Sequence, residues 1–417
     1  MRDGHTVSEQ HAPSIGLPVN TFPVQDLWHF DASARRTRKR DPSAPWRRLF
    51  IFGGAILITA YLTSELYRIL SVGGIAQLEI VLIALFVANI AWLSLSFMTA
   101  VAGFLVIALR QPRSMLDLDT LDEATPIAGR TAVLLCTYNE PPERIFGTAL
   151  ATIEALAETK HAHSFDVFVI SDTTDPDIWV QEEAAYLAVL KRDIAAPKLF
   201  YRRRTMNTGK KAGNIADWCR RWGHIYDFML VLDSDSLMEP SAIIKLAQAM
   251  DANPDAGLIQ SVPVSINRHT LFARLQQFAG RVYGPVHAAG LAFWHRGTGN
   301  FWGHNAIIRV KAFIENAGLP ELPGKPPFGG TILSHDFVEA ALLCRGGWRV
   351  YMVPELKGSY EESPPSLVDF ALRDRRWCQG NLQHARLIGI KGLHWISRVH
   401  LIMGIMAYVS VLSLIHI

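Results

Sequence analysis

The chain has 417 residues, of which 49% are hydrophobic and 19% charged, with a formal net charge of +3. That length suits two or more domains' worth of structure, and the composition is apolar for a soluble protein. The four cysteines (Cys136, Cys219, Cys344, Cys378) show no C-x-x-C spacing, which argues against a zinc site or a disulfide framework and suits a reducing compartment.

Residues 1–47 are rich in Pro, Ser, His and Arg without clear period, and read as a largely disordered, basic tail. Residues 48–110 hold two apolar stretches, 48–70 and 77–109, each long enough for the roughly 20 residues that cross a bilayer. A core helix rarely stays apolar on all faces for this length. The long polar leader is unlike a signal peptide's short n-region. Arg35, Arg36, Arg38, Lys39, Arg40, Arg47 and Arg48 precede the first stretch. Arg110 and Arg113 follow the second, and the connection at 71–76 is uncharged. The positive-inside rule then places the N-terminus and everything after Arg110 in the cytoplasm. A nucleic-acid arm would also be basic. The cluster's place beside a span favours topology and anionic lipid, so the expected partner is a lipid bilayer and no nucleic acid.

Residues 114–395 alternate strand-like and helix-like segments. Strands are expected at 131–136, 165–170, 228–233 and 257–264, and helices at 142–158, 176–192 and 241–250, the last starting at Ser241 after Pro240. Such alternation predicts an α/β, Rossmann-like domain with a mostly parallel sheet, flanked by transmembrane helices. Residues 398–417 turn apolar again and read as the start of a further transmembrane helix, cut short, so the chain is expected to be part of a longer protein.

The chemistry concentrates at strand ends. Phe228-Met229-Leu230-Val231-Leu232 reads as a strand buried on both faces, followed by Asp233-Ser234-Asp235. Strand side chains alternate, so the two carboxylates are expected on one side of the C-terminal edge, where open α/β sheets bind ligands. Hard oxygen donors there suit Mg²⁺ or Mn²⁺, and those ions suit a diphosphate. A solvated turn would use the same residue types. Other clusters follow in order: Thr137-Tyr138-Asn139-Glu140, Ser171-Asp172, Ser334-His335-Asp336 and Arg373-Asp374-Arg375-Arg376-Trp377. The first two share the expected edge with the Asp pair, which suits a nucleotide lying across it, with Asp172 accepting from base or ribose.

This order of motifs resembles the processive family-2 glycosyltransferases, of which cellulose synthase is the familiar member. Lys210-Lys211-Ala212-Gly213-Asn214 is similar to the family's Lys-Ala-Gly-Asn segment. Residues 204–211, 299–305 and 376–381 carry further local likeness, and the resemblance covers about 48–417. Two positions depart from the pattern: Arg373 stands where the last motif usually has Gln, and Ser334-His335-Asp336 replaces Thr-Glu-Asp.

The resemblance implies a membrane-embedded, inverting glucosyltransferase of the bacterial inner membrane, multi-pass with its catalytic domain in the cytoplasm. UDP-glucose would be the donor. A growing β-glucan chain would be the acceptor, osmoregulated periplasmic glucan the final polymer, and other glucan-biosynthesis proteins the partners. It implies Asp336 as catalytic base, with Asp233 and Asp235 as catalytic metal ligands. Thr137, Tyr138, Glu140, Asp172, Lys211, Asn214 and Arg376 would contact the nucleotide sugar, and Trp377, Phe301 and Trp302 the acceptor. Physical chemistry supports these roles. A leaving diphosphate needs charge neutralisation, an acceptor hydroxyl needs a base, Arg pairs bidentately with phosphate, and an indole stacks on a pyranose. Plainer readings exist: Ser334 and Asp336 as helix caps, Trp377, Phe301 and Trp302 as packing, Lys210 and Lys211 as a solvated face. Rival functions are single-sugar transfer to a lipid carrier and a non-catalytic nucleotide-sugar sensor, which would not need Asp336. A transporter lacks intramembrane charge pairs here, and an ATPase would need a Walker motif.

Overall fold

A computed structural model describes residues 20–415, apart from 39, 123 and 193. Ten strands form in chain order: β1 Thr131–Thr137, β2 Phe165–Ser171, β3 Lys198–Arg203, β4 Phe228–Asp233, β5 Ser236–Met238, β6 Ala256–Ser261, β7 Val264–Ile266, β8 Ala306–Arg309, β9 Arg349–Val353 and β10 Ser359–Glu362. Seven of them build one sheet in the order β3-β2-β1-β4-β8-β6-β9, and three a small sheet, β5-β10-β7. The large sheet is mostly parallel, with β8 antiparallel to both neighbours. The alternating pattern at 114–395 thus makes the Rossmann-like layer expected from it.

The apolar runs explain why β1, β2 and β4 are central. Val133 and Leu135 face a core with Ile145, Ile153 and Met250 on one side. Ala132 and Leu134 face Trp218, Phe313 and Phe301 on the other. A strand covered on both faces must be apolar at every position. Register then aligns the ends: Thr137 pairs with Ser171, Ser171 with Arg203, and Cys136 with Asp233. Helices Pro142–Ala157, Pro176–Leu190 and Pro240–Ala252 lie within two residues of the expected bounds. The last starts one residue early, with Glu239 as N-cap and Pro240 in the first turn in place of the expected Ser241.

The tail departs from expectation. Residues 1–19 and Lys39 lie outside the described residues, but 20–38 and 40–47 run along the α/β domain in place of a free tail. Val24 bridges Gly318, Leu27 is buried with Leu322 and Leu342, and the Arg36 amide donates to Gly346 O (3.1 Å). Part of the basic cluster is tied to the domain through its guanidinium groups. Arg36 lies over the Trp348 ring (3.9 Å), Arg38 donates to Gly297 O, and Arg48 donates to the Trp294 and His295 carbonyls and to Thr298. Guanidinium groups are suited to such stacked and forked contacts, so this segment is a strap.

Two helices, Ala44–Gly73 and Gln77–Ala108, are long and apolar enough to cross a membrane. A third apolar helix covers Trp395–Ile415. The second long helix crosses helix Leu271–His295 at backbone distance. A Cβ on Gly103 would stand 1.8 Å from Val286 O, and one on Gly290 would stand 2.0 Å from Thr99 O. Small residues at a crossing are what allow such an approach. Gly103→Val is therefore expected to force the helices apart at a cost of about 1–3 kcal/mol. Thermal melting in detergent would register this as a midpoint several degrees lower, and an unchanged midpoint would contradict the close crossing.

Candidate active site

The site is built where the C-terminal ends of β1, β2 and β4 meet two loops from later in the chain. Asp233 is the last residue of β4. Asp235 is not on the strand: Ser234 and Asp235 form the tight turn into β5. Strand alternation therefore does not account for the pair. The turn does, because the Asp233 amide donates to Ser236 Oγ (3.2 Å) and folds the loop back toward the edge. Both carboxylates remain half-buried.

Lys211 arrives from the first turn of helix Lys210–Trp222. Gly209 has φ +70° and Lys210 has φ +50°, and Gly213 packs so closely that a Cβ would lie 1.9 Å from Thr208 O. Only a glycine turn of this kind admits such an approach. The Lys211 ammonium forms an ion pair with Asp233 and donates to Gly303 O (2.7 Å). Gly303 has φ +90°, and a Cβ there would lie 3.3 Å from Asp336 Oδ2. One ammonium thus joins the Asp pair to the loop against which Asp336 rests. The solvated-face reading of Lys211 does not hold.

Electrostatics separate the carboxylates. Burial pushes Asp233 upward, but Lys211, then His304 and Arg373, outweigh it and hold it at about 2. Asp336 goes the other way: burial raises it, only partly offset by His335. His335 is itself desolvated, and Glu339 (3.1 Å) outweighs that and favours its charged form. Two acids in one site with opposite shifts suit one permanent anion and one group able to take a proton. Ser334 precedes helix His335–Arg345 but makes no side-chain cap bond, so its capping reading is not realised.

The remaining candidates divide. Thr137 ends β1, Tyr138 is exposed and Glu140 half-buried beside it. Asn139, at φ +52°, accepts from the amides of Thr174 and Asp175 (3.0 and 3.1 Å) and ties this loop to the end of β2. Asp172 reaches the edge, yet both its oxygens take the Arg204 guanidinium (2.7 and 2.6 Å). Asn214 is a correction. It is 2% exposed, donates to Ile170 O (3.0 Å) and accepts from Arg202 (2.6 Å), so its amide is used within the protein. Phe301 is another: it is fully buried in the core under the sheet and presents no face to a sugar. Trp302 is half-buried and packs on the apolar cluster that holds Met98, Leu291, Trp294 and Ile396. Trp377 is 39% exposed on helix Leu367–Leu387, and Arg376 is exposed beside it.

Sequence reading missed four residues here. His304 sits 3.4 Å from Glu361, and Arg373 sits 3.6 Å from Asp235. Arg204 holds Asp172. Arg204 and His304 lie in the family-like segments 204–211 and 299–305, and Arg373 is the departure from Gln, but sequence assigned none of them a role and carried no signal for Glu361. Among the described residues no cluster of three or more His, Cys, Asp or Glu side chains could hold a metal by itself. Two half-buried carboxylates, each already balanced by a cation, nonetheless fit a divalent ion that keeps water and takes the rest of its ligands from a diphosphate.

The family description "Glycosyl transferase family 2" matches residues 132–316, and "Glycosyl transferase family group 2" matches 228–417. Together they cover the sheet, the Asp pair, Asp336 and Trp377, and the chain belongs to glycosyltransferase family 2. It is similar to proteins named glucans biosynthesis glucosyltransferase H. Identity to the one from Vibrio cholerae is 54% over 88% of this chain and 50% of that protein. Identity to the one from Shewanella putrefaciens is 56% over 87% and 49%. The chain spans about half the length of these curated relatives. A solved mannosyltransferase from Pyrobaculum calidifontis, in complex with GDP-Man and Mn²⁺, aligns over 78% of this chain and 83% of its own at 16% identity and a TM-score of 0.49.

The raised Asp336 has a stability consequence. A folded-state pKa above the unfolded value means the native state binds the proton more tightly. Stability is then lost as pH rises from the ordinary carboxyl range through the folded value. Asp336 faces His335, Glu339 and Lys211. Asp336→Asn is expected to raise the melting midpoint at pH 7–8, by roughly 2–4 °C per kcal/mol relieved. The gain should vanish near pH 4. A variant that melts lower at pH 8 would show that the carboxylate is structurally required.

Proposed function

We propose that this chain transfers glucose from UDP-glucose, with inversion, to a growing β-glucan at the cytoplasmic face of a bacterial inner membrane, building the backbone of osmoregulated periplasmic glucans. One observation carries the reading: Lys211 joins Asp233 to the Gly303 loop on which Asp336 lies. Diphosphate handling and proton removal therefore occupy adjacent walls of one site. The donor sugar, the UDP donor and the polymer come from the similarity to the named glucosyltransferases and from the motifs.

Each residue then has a task. Asp336, whose carboxylate burial makes more basic, takes the acceptor hydroxyl's proton as that oxygen attacks the anomeric carbon. Attack opposite the departing UDP inverts the configuration. Lys211 and Arg376 offset charge on the leaving diphosphate. Asp233 and Asp235 would hold Mg²⁺ or Mn²⁺, which supplies further charge neutralisation to that leaving group. Thr137, Tyr138 and Glu140 border the nucleotide. Asp172 with Arg204 forms its floor, and Trp377 is the stacking surface for the acceptor sugar, with Trp302 behind it.

Membrane embedding is part of the reading. Beside the two long apolar helices, helix Leu271–His295 exposes Leu271, Leu275, Phe278, Val282 and Tyr283. The first four fall on one stripe at helical spacing, with Tyr283 beside it. Helix Leu367–Leu387 exposes Leu367, Val368 and Leu372, and the two helices touch through Phe272 and Phe370 (5.8 Å). Two adjacent apolar stripes suit helices lying in a headgroup layer.

Membranes supplied with radiolabelled UDP-sugars, followed by linkage analysis, test the donor and product. UDP-glucose alone should label a β-linked polymer, with EDTA silencing the label. Asp336→Asn should reduce transfer by at least 10²-fold while UDP binding persists. Incorporation from another UDP-sugar in preference, or near-normal synthesis by Asp336→Asn, would sink the reading. Topology is tested separately: a reporter after Arg113 should read cytoplasm and one at Gly73 periplasm, and the reverse pattern would place the site away from UDP-sugars.

A further inference from the structure

Each carboxylate of the Asp pair has its own cation, and the two cations are held very differently. Lys211 is fixed between Asp233 and Gly303 O. Arg373 meets Asp235 at 3.6 Å, an ion-pair distance too long for a hydrogen bond. Among the described residues no hydrogen bond from its guanidinium is found. Its other contact is the Trp377 ring, 4.6 Å from the centroid. Arg373 and Trp377 are one turn apart on helix Leu367–Leu387, which puts them on the same face. Arg373 also acts on Asp233 and on Glu361. It is thus a positive charge without a hydrogen-bond anchor, set among three carboxylates, and it lies over the indole that an acceptor sugar would use in the proposed reaction. A Gln at this position, as in the wider family pattern, would carry no charge and could do neither.

We propose that Arg373 is a positioning residue that acts as a resident counter-ion: it occupies the charge position of the divalent cation at Asp235 and shields Trp377 until the metal–nucleotide donor arrives. The inference rests on the metal and acceptor readings above. A divalent ion on Asp235 would neutralise that carboxylate more strongly than a guanidinium at 3.6 Å and would repel the Arg373 charge. Displaced from Asp235, Arg373 keeps only the cation–π contact, worth little at an exposed site. The Trp377 face then opens to a sugar. Donor loading becomes the condition for acceptor stacking, which guards an activated site against transfer to water or to a stray hydroxyl.

The test measures binding, not turnover. Mn²⁺ affinity of the full chain in detergent is read by electron paramagnetic resonance, with and without UDP. Binding of a β-glucan oligosaccharide is read by calorimetry with and without Mn²⁺–UDP, for wild type, Arg373→Gln and Arg373→Lys. Arg373→Gln should bind Mn²⁺ without UDP about fivefold or more tightly than wild type, an ordinary coupling magnitude. It should also bind oligosaccharide without Mn²⁺–UDP, which wild type should do only weakly. Arg373→Lys keeps the charge and loses the flat guanidinium, so it should retain wild-type Mn²⁺ affinity while exposing Trp377 to sugar. That variant keeps the test open if the Gln form melts early. Wild-type Mn²⁺ affinity in Arg373→Gln would overturn this inference alone. Absence of Mn²⁺ binding to every protein, with UDP present, would overturn the metal reading and this inference with it.

Discussion

The site depends on one ammonium. Lys211 lies between Asp233 at the end of β4 and the carbonyl of Gly303, and on the far side of that glycine lies Asp336. Three segments far apart in the chain meet through it. Lys211 is desolvated, which alone would favour its neutral form, and Asp233 outweighs this and keeps it charged. A buried pair of this kind gains little net stability, but removing either partner leaves an uncompensated charge. In the proposed reaction the arrangement would put charge where a diphosphate leaves and would fix the distance between the leaving-group side and the proton-accepting side.

The acceptor side is held as tightly by other means. Helix Leu367–Leu387 touches the loop before Asp336 through Gly380, where a Cβ would stand 2.4 Å from Ser334 Oγ. Gln383 accepts from the Leu333 amide (2.9 Å) and donates to the Gly329 and Thr331 carbonyls. Its opposite face is tied to the apolar helix Trp395–Ile415 by Tyr408 and Asp374 (2.9 Å). Trp377 and Asp336 therefore belong to one rigid block, and that block is joined to a helix placed beside the other two apolar ones. A shift of that helix would move Trp377 and Asp336 together, which preserves their spacing.

What was legible in the sequence follows from burial. The runs at 131–136, 165–170 and 228–232 are apolar at every position because both faces are covered, and no solvated segment has reason to look that way. The Asp pair was legible because it follows such a run. β3 was not, since Lys198-Leu199-Phe200-Tyr201-Arg202-Arg203 lies at the sheet edge and carries polar groups, of which Arg202 pairs with Asp217. The short β8 and β10 have too few residues for periodicity to speak. Phe301 and Trp302 stand side by side in sequence, and only the fold says that the first points under the sheet. Asn214 lies in a motif segment, yet its partner is a strand carbonyl 44 residues away. Long-range polar pairings leave no periodic trace.

The strap at 20–47 shows a further limit of local reading. Proline, serine and arginine without period describe a segment that cannot build its own core, and composition goes no further than that. A segment can still be ordered by a surface that already exists. Here Leu27 fills a gap beside Leu322 and Leu342, while Arg36, Arg38 and Arg48 reach Trp348 and the carbonyls around Gly297. The same arginines that read as a topology signal also fasten the first apolar helix to the end of helix Leu271–His295. By count, these charges would set the side of a membrane on which the domain lies. By placement, they fasten the strap and the first apolar helix to the domain, so one set of residues carries both signals and only the fold separates them.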